Sequence, residues 1–381
     1  MIADICQGLT FPDLVASRLV LLAKKDSSQA TVGARPICIS ESISKLAMSL
    51  AVESISDELQ SSMTRQFCFS NGGAEKVVHE LDDVLQSNPD YDVVTLDCKN
   101  AYNSVSRSAM ADALYKRPSL ANVWQIFFAT YGSPYNLIIQ DQNKTEFRSC
   151  TRGGKQGCPG MSAFFCLALD DTIQAAHREG IWIAAFADDI TLCGRSSDIE
   201  RIIPIIQGKL SEIGLSLNNK KCTVYGSQDL ANTFNFSHST TGVRVLGGFI
   251  TKNQDDAVQY FDNLCSTHST FFQEIELLPK DIALHVLTFC GAPKWHFISR
   301  VAKPTHDMLL VHQRFDSMVA NCLMKILQVE WLSEEQMALI SLPRCDGGFG
   351  LPSYCITSPC AQPHWSSLCL HRVQLPSANR S

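Results

Sequence analysis

This 381-residue chain lacks the features that mark several other classes of protein. No apolar run reaches the about 20 residues that a helix needs to cross a bilayer. No charged segment precedes an apolar one at the N-terminus, as it would in a secretory signal. Internal repeats and long low-complexity tracts are also missing. These absences predict an intracellular protein without a membrane partner, and they do not distinguish the nucleus from the cytoplasm.

A basic excess is missing as well. Lys and Arg number 32 and Asp and Glu number 38, which gives a net charge of −6. Nucleic-acid-binding proteins are often basic, so this balance argues mildly against such a partner. Local clusters of cations can nevertheless bind a polyanion despite the net charge. The candidate cations for a nucleic-acid track are Lys24, Lys25, Arg148, Arg152, Lys155, Lys220, Lys221, Lys294, Arg300 and Lys303.

Cysteine, by contrast, is plentiful. The 16 cysteines are scattered through apolar segments, as at Cys38, Cys166 and Cys290. That distribution favours buried free thiols in a reducing compartment over disulfide bonds.

The segment 181–193 carries two adjacent carboxylates, Asp188 and Asp189, between two apolar, strand-like runs. Buried carboxylates are costly unless they are paired, and no Lys or Arg lies within the segment. A hard cation such as Mg²⁺, which prefers oxygen ligands, would compensate for them. The pattern therefore predicts a β-hairpin with an acidic metal site at its tip. The alternative is an ordinary solvated turn.

A second carboxylate, Asp97, directly follows the apolar strand 93–96. A two-metal phosphoryl-transfer site needs acids from two strands to converge on the ions. Asp97 is the candidate for that second strand. The alternative is that Asp97 caps the helix that follows.

A glycine-rich segment, 152–162, precedes the apolar, helix-like run 163–169. Glycine lets a backbone approach a ligand closely, and a helix N-terminus favours phosphate. The segment is not a Walker loop, because it lacks Gly-Lys-Ser/Thr. It suits contact with a base, a sugar or a phosphate.

In this order, the three motifs resemble those of reverse transcriptases. Phe186–Asp189 resembles the catalytic aromatic-x-Asp-Asp box, and Asp97 with Asn100–Asn103 resembles the first catalytic motif. Gln156–Pro159 resembles the turn that holds template and incoming nucleotide. Two further matches belong to the fingers and the palm: Lys24, Lys25 and Arg35–Ile37 resemble fingers residues, and Gly214–Asn218 with Lys221 and Cys222 resembles the next palm motif. Val245–Gly247 resembles the primer grip. Leu342–Pro352 resembles a segment of non-long-terminal-repeat retrotransposons.

This resemblance, which covers residues 18–352, implies an RNA-directed DNA polymerase, a nucleotidyltransferase of the non-long-terminal-repeat retrotransposon type. Its partners would be an RNA template, a DNA primer and deoxynucleoside triphosphates. Its cofactor would be two Mg²⁺ ions, with Mn²⁺ as an alternative. The implied catalytic acids are Asp97, Asp188 and Asp189, with the Cys98 carbonyl as a further metal ligand.

The resemblance also assigns residues to the nucleotide and the primer. Tyr102 occupies the place of an aromatic residue that would clash with a ribose 2′-hydroxyl, which disfavours an RNA polymerase; the alternative is a core tyrosine. The implied nucleotide-binding residues are Lys24, Lys25, Arg35, Tyr102, Gln156, Gly157 and Lys221, and the implied primer-grip residues are Leu246 and Gly247.

The implied fold is α+β, the right-hand polymerase fold with fingers, an antiparallel palm sheet and a helical thumb. Residues 1–255 would form interleaved fingers and palm, 256–352 a helical thumb-like unit with a C-terminal extension, and 353–381 a disordered tail. Apolar periodicity predicts helices at 41–60, 75–87, 104–117, 160–178 and 198–213, strands near 93–97, 181–187, 190–193 and 244–250, and largely helical structure over 256–340.

Two alternatives remain at this stage. The chain begins close to its first fingers motif and shows no nuclease or RNase H region, which predicts a truncated element whose endonuclease function is supplied elsewhere. Such a chain could also be an inactive nucleic-acid-binding remnant. In the tail, Cys355, Cys360, His364 and Cys369 resemble a zinc knuckle in outline, but the first gap is too long, and a disordered tail is the default.

Overall fold

The computed structural model describes residues 1–9, 12–25, 31–141 and 144–361. The chain divides into two compact units. The first consists of Met1–Val77 and Asn88–Thr240, and the second of Val78–Ser87 with the chain from Thr241 onward. The second unit thus begins before the expected boundary at residue 256 and takes in most of an earlier helix.

The first unit alternates helices and short strands. Its helices are α1 (Ile2–Cys6), α2 (Pro12–Val15), α3 (Ser42–Glu53), α4 (Ser56–Ser62), α6 (Ala101–Ser104), α7 (Arg107–Tyr115), α8 (Trp124–Tyr131), α9 (Met161–Arg178), α10 (Ser196–Glu212) and α11 (Gln228–Phe234). Its strands are β1 (Ser17–Lys25), β2 (Thr31–Ser40), β3 (Asp92–Leu96), β4 (Tyr135–Asp141), β5 (Lys144–Cys150), β6 (Trp182–Phe186), β7 (Asp189–Gly194), β8 (Thr223–Tyr225) and β9 (Ser237–Ser239). Helix α5 (Gly73–Ser87) contributes to both units.

The central sheet has five strands in the order β6-β7-β3-β8-β9. Strand β3 is antiparallel to β7, with Leu96 opposite Ile190. Strands β3, β6 and β7 are almost wholly buried, as expected for β-branched and apolar runs covered by helices. The palm strands predicted near 93–97, 181–187 and 190–193 are therefore present within one or two residues of their expected bounds. The fourth prediction, a palm strand over 244–250, is wrong, because Val243–Val245 and Gly248–Ile250 pair with each other in a separate two-stranded sheet.

A second sheet has the order β2-β1-β4-β5. Strands β1 and β2 form an antiparallel pair in which Leu22 lies opposite Arg35. Strand β5 is exposed along nearly its whole length. This sheet carries the residues predicted for the fingers.

Helix α9 anchors the core of the first unit. Most of its 18 residues are buried, including the phenylalanines Phe164 and Phe165. Its bounds match the predicted helix. The helix predicted over 41–60 is instead two helices, because the chain turns at Ser54, whose hydroxyl donates to the Ala51 carbonyl at 2.8 Å.

The second unit is a hairpin followed by helices. Its elements after α5 are β10 (Val243–Val245), β11 (Gly248–Ile250), α12 (Gln254–Thr267), α13 (Ser269–Glu276), α14 (Lys280–Val286), a π-helical turn (Leu287–Gly291), α15 (His296–Val301), α16 (His306–Leu327), α17 (Glu334–Ser341) and α18 (Tyr354–Ala361). The predicted helical interruptions at Pro279, Pro293 and Pro304 all fall between α-helices.

Helix α18 lies in the segment predicted as a disordered tail, so that prediction is wrong for Tyr354–Ala361. Residues 362–381, with two of the four possible zinc ligands, lie outside the described residues. Within the described part of the chain, no helix is long and apolar enough to cross a membrane. Every cysteine there is a free thiol, as predicted, but the prediction of burial is wrong for Cys290, which is exposed.

Candidate active site

The centre of the candidate site is the turn between β6 and β7. Phe186 pairs with Asp189, so Ala187 and Asp188 form a two-residue hairpin loop. Ala187 has a φ of 53°, in the left-handed region where a two-residue hairpin normally places glycine. The predicted hairpin is confirmed, and its tip is held in a conformation that an alanine rarely adopts.

Register brings the third carboxylate to this turn. Because Leu96 lies opposite Ile190, Asp97, which directly follows β3, comes beside Asp189. Burial raises the pKa of Asp188, and the charge of Asp97 raises it further, while a backbone hydrogen bond within the turn lowers it. Burial of its carboxyl group and the charges of Asp188 and Asp97 raise the pKa of Asp189 to about 6, although the residue as a whole is exposed. The turn therefore concentrates negative charge that the protein only partly compensates.

A segment from the predicted next palm motif holds Asp97 in place. The Asn218 N–H donates to the Asp97 carbonyl at 2.8 Å, and Cys98 bridges to Leu217. A short 3₁₀ turn then carries Lys221 back toward the acids, and its Nζ lies 3.7 Å from an Asp97 carboxylate oxygen. Both side chains are part-exposed, so a substrate could reach this ion pair.

Two further cations face the acids from the strands of the second sheet. The pKa of Lys24 is lowered by a hydrogen bond to Lys221 and by the charges of Lys221 and Arg35, whereas the charge of Asp97 raises it. Arg35 and Lys221 in turn favour ionised Asp188. Three of the predicted nucleotide-binding cations therefore lie together, opposite the three acids. The side chain of Lys25 is outside the described residues.

Tyr102 lies on α6 and is held from two sides. Its hydroxyl is 3.2 Å from the Ser162 hydroxyl, and its ring stacks on Phe165 with centroids 4.8 Å apart. Burial raises the pKa of the phenol, with a smaller contribution from the charge of Asp188, so it stays neutral at physiological pH. The ring is half-buried, near the acids and fixed in orientation.

The glycine-rich turn is fastened to β2. The Cys38 N–H donates to the Gln156 carbonyl at 2.7 Å. Gly157 has a φ of 111°, and a Cβ there would lie 2.7 Å from the Cys38 carbonyl oxygen, so only glycine fits. The Gln156 side-chain oxygen is buried and has no hydrogen-bond partner among the described residues. That oxygen is therefore a buried acceptor left without a donor in this part of the chain.

Two of the cations proposed for the nucleic-acid track, Lys155 and Arg152, instead bond backbone carbonyls of the protein. Lys155 is only 2% exposed; its ammonium group bonds the Val15 carbonyl and lies 4.4 Å from the centre of the Tyr135 ring. Burial lowers its pKa to about 8. Arg152 donates to the Ser104 and Gly214 carbonyls, each at 2.8 Å. The track prediction is wrong for Lys155, because a buried lysine cannot meet a phosphate, and Arg152 is committed to backbone.

The acids fit part of a magnesium site. Among the described residues, no group of three or more His, Cys, Asp or Glu side chains is placed to hold a metal ion. Mg²⁺, however, commonly takes only one or two protein carboxylates and completes its shell with water and substrate phosphates. Burial and the charges of Asp188 and Asp97 raise the pKa of the Cys98 thiol to about 12. Because the Cys98 thiol stays protonated, the group of Cys98 that suits a hard cation is its backbone carbonyl.

The predicted primer grip lies in the second unit. Leu246 and Gly247 form the turn between β10 and β11, with φ values of 48° and 91°. A Cβ on Gly247 would meet the Phe297 ring at 3.1 Å. The turn is thus shaped by packing within its own unit.

Sequence reasoning missed two residues that support the site. Arg107 donates to the Gly153 carbonyl at 2.8 Å and stacks over Tyr135, which ties the glycine-rich turn to α7. Gln66 bonds the backbone of Ala187 in the acidic turn. Neither residue belongs to a recognisable motif, and both make contacts with residues distant in sequence. No local signal distinguishes them from ordinary surface polar residues.

The class of protein follows from comparison with solved structures. The chain superimposes on apo telomerase from Candida tropicalis with a TM-score of 0.50 and 9% identity, over 92% of this chain and 66% of that one. At that identity the likeness shows the fold alone. It confirms the α+β, right-hand polymerase fold.

The family follows from the sequence itself. The model of the family described as reverse transcriptase (RNA-dependent DNA polymerase) matches residues 22–250, more than half of the chain. The protein therefore belongs to the reverse transcriptase family.

Curated relatives indicate the type of element. The chain is 21% identical over 352 residues to the retrotransposable element SLACS 132 kDa protein of Trypanosoma brucei gambiense. It is 25% identical over 178 residues to the Pol polyprotein from the type-1 retrotransposable element R2 of Popillia japonica. These matches cover 89% and 42% of this chain but only 28% and 29% of the relatives. They confirm the resemblance to a reverse transcriptase domain of the non-long-terminal-repeat type.

Proposed function

We propose that this chain is an RNA-directed DNA polymerase that adds deoxynucleotides to the 3′-hydroxyl of a primer. The observation that carries the proposal is the convergence of Asp97 with Asp188 and Asp189, faced by Lys24, Arg35 and Lys221. Acids gathered opposite cations suit a triphosphate bridged to the protein by metal ions.

Asp97, Asp188 and the Cys98 carbonyl are the groups that would hold two Mg²⁺ ions, with Asp189 adding charge beside them. When bound, the ions would lower the pKa of the primer hydroxyl and neutralise the leaving pyrophosphate. The raised pKa values of Asp188 and Asp189 support this assignment, because a divalent cation would stabilise the ionised carboxylates that burial and the neighbouring acids disfavour.

The cations would bind the triphosphate. Arg35 suits bidentate contact with phosphate oxygens, and Lys24 or Lys25 would add a point charge. The lowered pKa of Lys24 arises from its cationic neighbours, so a bound polyanion would favour its protonated form. Lys221 would leave Asp97 to protonate the pyrophosphate as it departs.

The remaining residues would select the nucleotide and align the primer. The fixed Tyr102 ring would exclude a ribose 2′-hydroxyl, and the unpaired Gln156 oxygen would accept a hydrogen bond from the template base or the nucleotide. Gly157 would allow close backbone approach. Leu246 and Gly247 would contact the primer.

The proposed partners are an RNA template, a DNA primer and deoxynucleoside triphosphates. The names of the curated relatives place them in retrotransposable elements, which supports a role of this chain in copying such an element. Residues 1–255 would supply interleaved fingers and palm, and 256–352 the thumb.

Primer extension tests the proposal directly. The substrate is poly(rA)/oligo(dT) with Mg²⁺ and dTTP, and the variants are Asp188→Ala and, as a matched control, Asp171→Ala. Asp171 is an exposed carboxylate that pairs with Lys116 and is not part of the acidic turn. We expect extension by the wild type and by the Asp171 variant and none by the Asp188 variant.

Absence of extension by a folded wild-type chain would contradict the proposal. If that chain still bound the duplex, the alternative of an inactive nucleic-acid-binding remnant would replace it. Equal extension by wild type and the Asp188 variant would instead show that the acidic turn is not the catalytic centre.

A further inference from the structure

The backbone of the acidic turn is held by one buried side chain, that of Gln66. The residue is 2% exposed. Its Oε1 accepts from the Ala187 N–H at 2.9 Å, and its Nε2 donates to the Ala187 carbonyl at 3.1 Å. A single amide thus satisfies both backbone groups of the residue that precedes Asp188.

The segment around Gln66 explains why its amide fits there. The Ala185 N–H donates to the Arg65 carbonyl at 2.9 Å, and the Phe67 N–H donates to the Ala185 carbonyl at 2.8 Å. This short parallel bridge runs along the outer edge of β6. On a strand, the next residue to present its backbone groups to the same edge is two positions on, at Ala187. The Gln66 side chain therefore extends the ladder by one step, as a peptide group would.

That step coincides with the strained residue of the turn. Ala187 has a φ of 53°, which a non-glycine residue keeps only when its surroundings hold it there. Gln66 Oε1 also accepts from the Cys68 N–H at 3.3 Å, which fixes the amide itself. The Gln66 amide is therefore hydrogen-bonded both to the turn residue Ala187 and to its own segment at Cys68.

We propose that Gln66 is a positioning residue of the polymerase site. By clamping Ala187 it sets the backbone direction from which the Asp188 and Asp189 carboxylates leave the turn. This inference rests on the proposed function, since it assigns those carboxylates to the metal ions. Gln66 itself contacts backbone and no reacting group, so it acts through the turn.

A merely structural role would have different consequences. A residue that only supports the edge of the sheet would change stability when altered, with activity falling in proportion to the folded fraction. A positioning residue would change the rate of the chemical step and the affinity for metal in protein that remains folded. Nucleotide affinity, which depends on the facing cations, would be spared.

The test compares three variants. Gln66→Met keeps the volume and removes both hydrogen bonds, whereas Gln66→Glu keeps the acceptors and, when ionised, lacks the donor. Gln174→Met is the matched control, because Gln174 donates to Thr64, two residues before Gln66, and does not touch the turn. Thermal melting of each variant establishes the folded fraction.

Three measurements separate the roles. Amide hydrogen exchange at Ala187 reports the clamp, Mn²⁺ titration followed by electron paramagnetic resonance reports the acids, and primer extension gives kcat and KM. For Gln66→Met we expect Ala187 exchange about tenfold faster. We expect kcat to fall about tenfold to a hundredfold with KM for dTTP within about threefold, since small misplacements of reacting groups are costly. Gln66→Glu should be intermediate and Gln174→Met close to wild type.

The inference is overturned if Gln66→Met exchanges and binds Mn²⁺ like the Gln174 control, or if its loss appears in KM alone. A wild type that extends no primer would defeat the proposed function instead. Ala187 exchange and Mn²⁺ binding would then still decide whether Gln66 positions the turn.

Discussion

The acidic turn of the first unit and the polar core of the second unit handle buried polar groups in opposite ways. At the turn, burial of the Asp189 carboxyl group and the charges of Asp188 and Asp97 raise the pKa of Asp189 to about 6. In the second unit, His312 is fully buried and both of its ring nitrogens are paired. The uncompensated carboxylates at the turn indicate a site that binds a ligand, whereas the fully hydrogen-bonded His312 indicates a structural role.

The His312 network can be followed atom by atom. The Trp295 indole N–H donates to Nδ1 at 2.8 Å, so Nε2 carries the proton and donates to the Ser358 hydroxyl at 3.0 Å. That hydroxyl donates to the Ser299 carbonyl at 3.0 Å. Burial lowers the pKa of His312 to about 4, which keeps the ring neutral. This chain of hydrogen bonds joins α15, α16 and α18.

A carboxylate in the second unit, that of Asp316, is likewise fully hydrogen-bonded. Asp316 accepts from the Ser353 hydroxyl and from the Tyr354 and Cys355 N–H groups at 2.8–3.0 Å. These bonds cap the start of α18 and lower the pKa that burial raises. Among the described residues, no other carboxylate contributes to the pKa shift of Asp316. The comparison predicts opposite outcomes when the two regions are altered.

The largest effect should come from Asp97→Asn. Asparagine is nearly the same size but lacks the charge, and a bound metal is worth several kcal/mol of transition-state stabilisation, or about a thousandfold in rate. Stability should not fall, because the change relieves repulsion at the turn. Steady-state primer extension and thermal melting of the same preparation measure the two quantities. A marked drop in melting temperature would show that Asp97 is architectural and would break the comparison.

For His312→Leu we expect the opposite result, a loss of stability without a loss of activity. The Trp295 N–H and the Ser358 hydroxyl would be left buried without their partner, which should cost about 3 kcal/mol of the free energy of unfolding. Activity per folded molecule should be unchanged. Urea unfolding gives the stability, and active-site titration of the folded fraction gives the activity. Loss of activity at full stability would assign the network to function instead.

A smaller effect, on selectivity, is expected for Tyr102→Ala. Removing the ring opens the space that the proposal assigns to the ribose 2′-hydroxyl, and contacts of this kind discriminate by about 1–3 kcal/mol. The preference for dTTP over UTP should therefore drop by about tenfold to a hundredfold. Single-nucleotide extension with each substrate measures it, and Tyr115→Ala, on the exposed end of α7, is the control. Unchanged discrimination would leave Tyr102 as a core residue.

The most gradual effect is on pH dependence. The pKa of Asp189 is raised to about 6, so the carboxyl group gains its proton as pH falls through that value. A metal competes with that proton, and affinity for Mn²⁺ should therefore fall by up to about tenfold per pH unit below about 6. Spin-resonance titrations between pH 5 and 8 would show the step, and Asp189→Asn should remove it. An identical step in that variant would assign the titration to another group.

Much of the site could be predicted from the sequence because its chemistry is locally encoded. Asp188 and Asp189 stand between apolar runs, and Asp97 stands at the end of one, so strand and turn followed from alternation and burial. Gly157 was identified from the sequence only by the family resemblance, and the structure supplies the reason for the glycine, a left-handed φ against the Cys38 carbonyl. The left-handed Ala187 could not be predicted, because only its surroundings impose that conformation.

The errors share a cause. Lys155 follows two glycines in a polar segment, which predicted exposure, yet its stem is buried beside Tyr135. Helix α18 begins in a Ser- and Pro-containing tail, which predicted disorder, yet Asp316 caps it from α16. In both cases a partner distant in the chain reversed a local preference.

By itself, the sequence determined which acids, cations and glycines are present, their order, and the strands and helices that carry them. Periods of two and about 3.6 residues are local properties, and a reader can find them without a structure. Only the tertiary structure decided that Asp97 lies beside Asp189, that Lys24 meets Lys221, and that Gln66 clamps Ala187. Those contacts join residues far apart in the chain, and they form because packing of the core fixes register between elements that no local pattern relates.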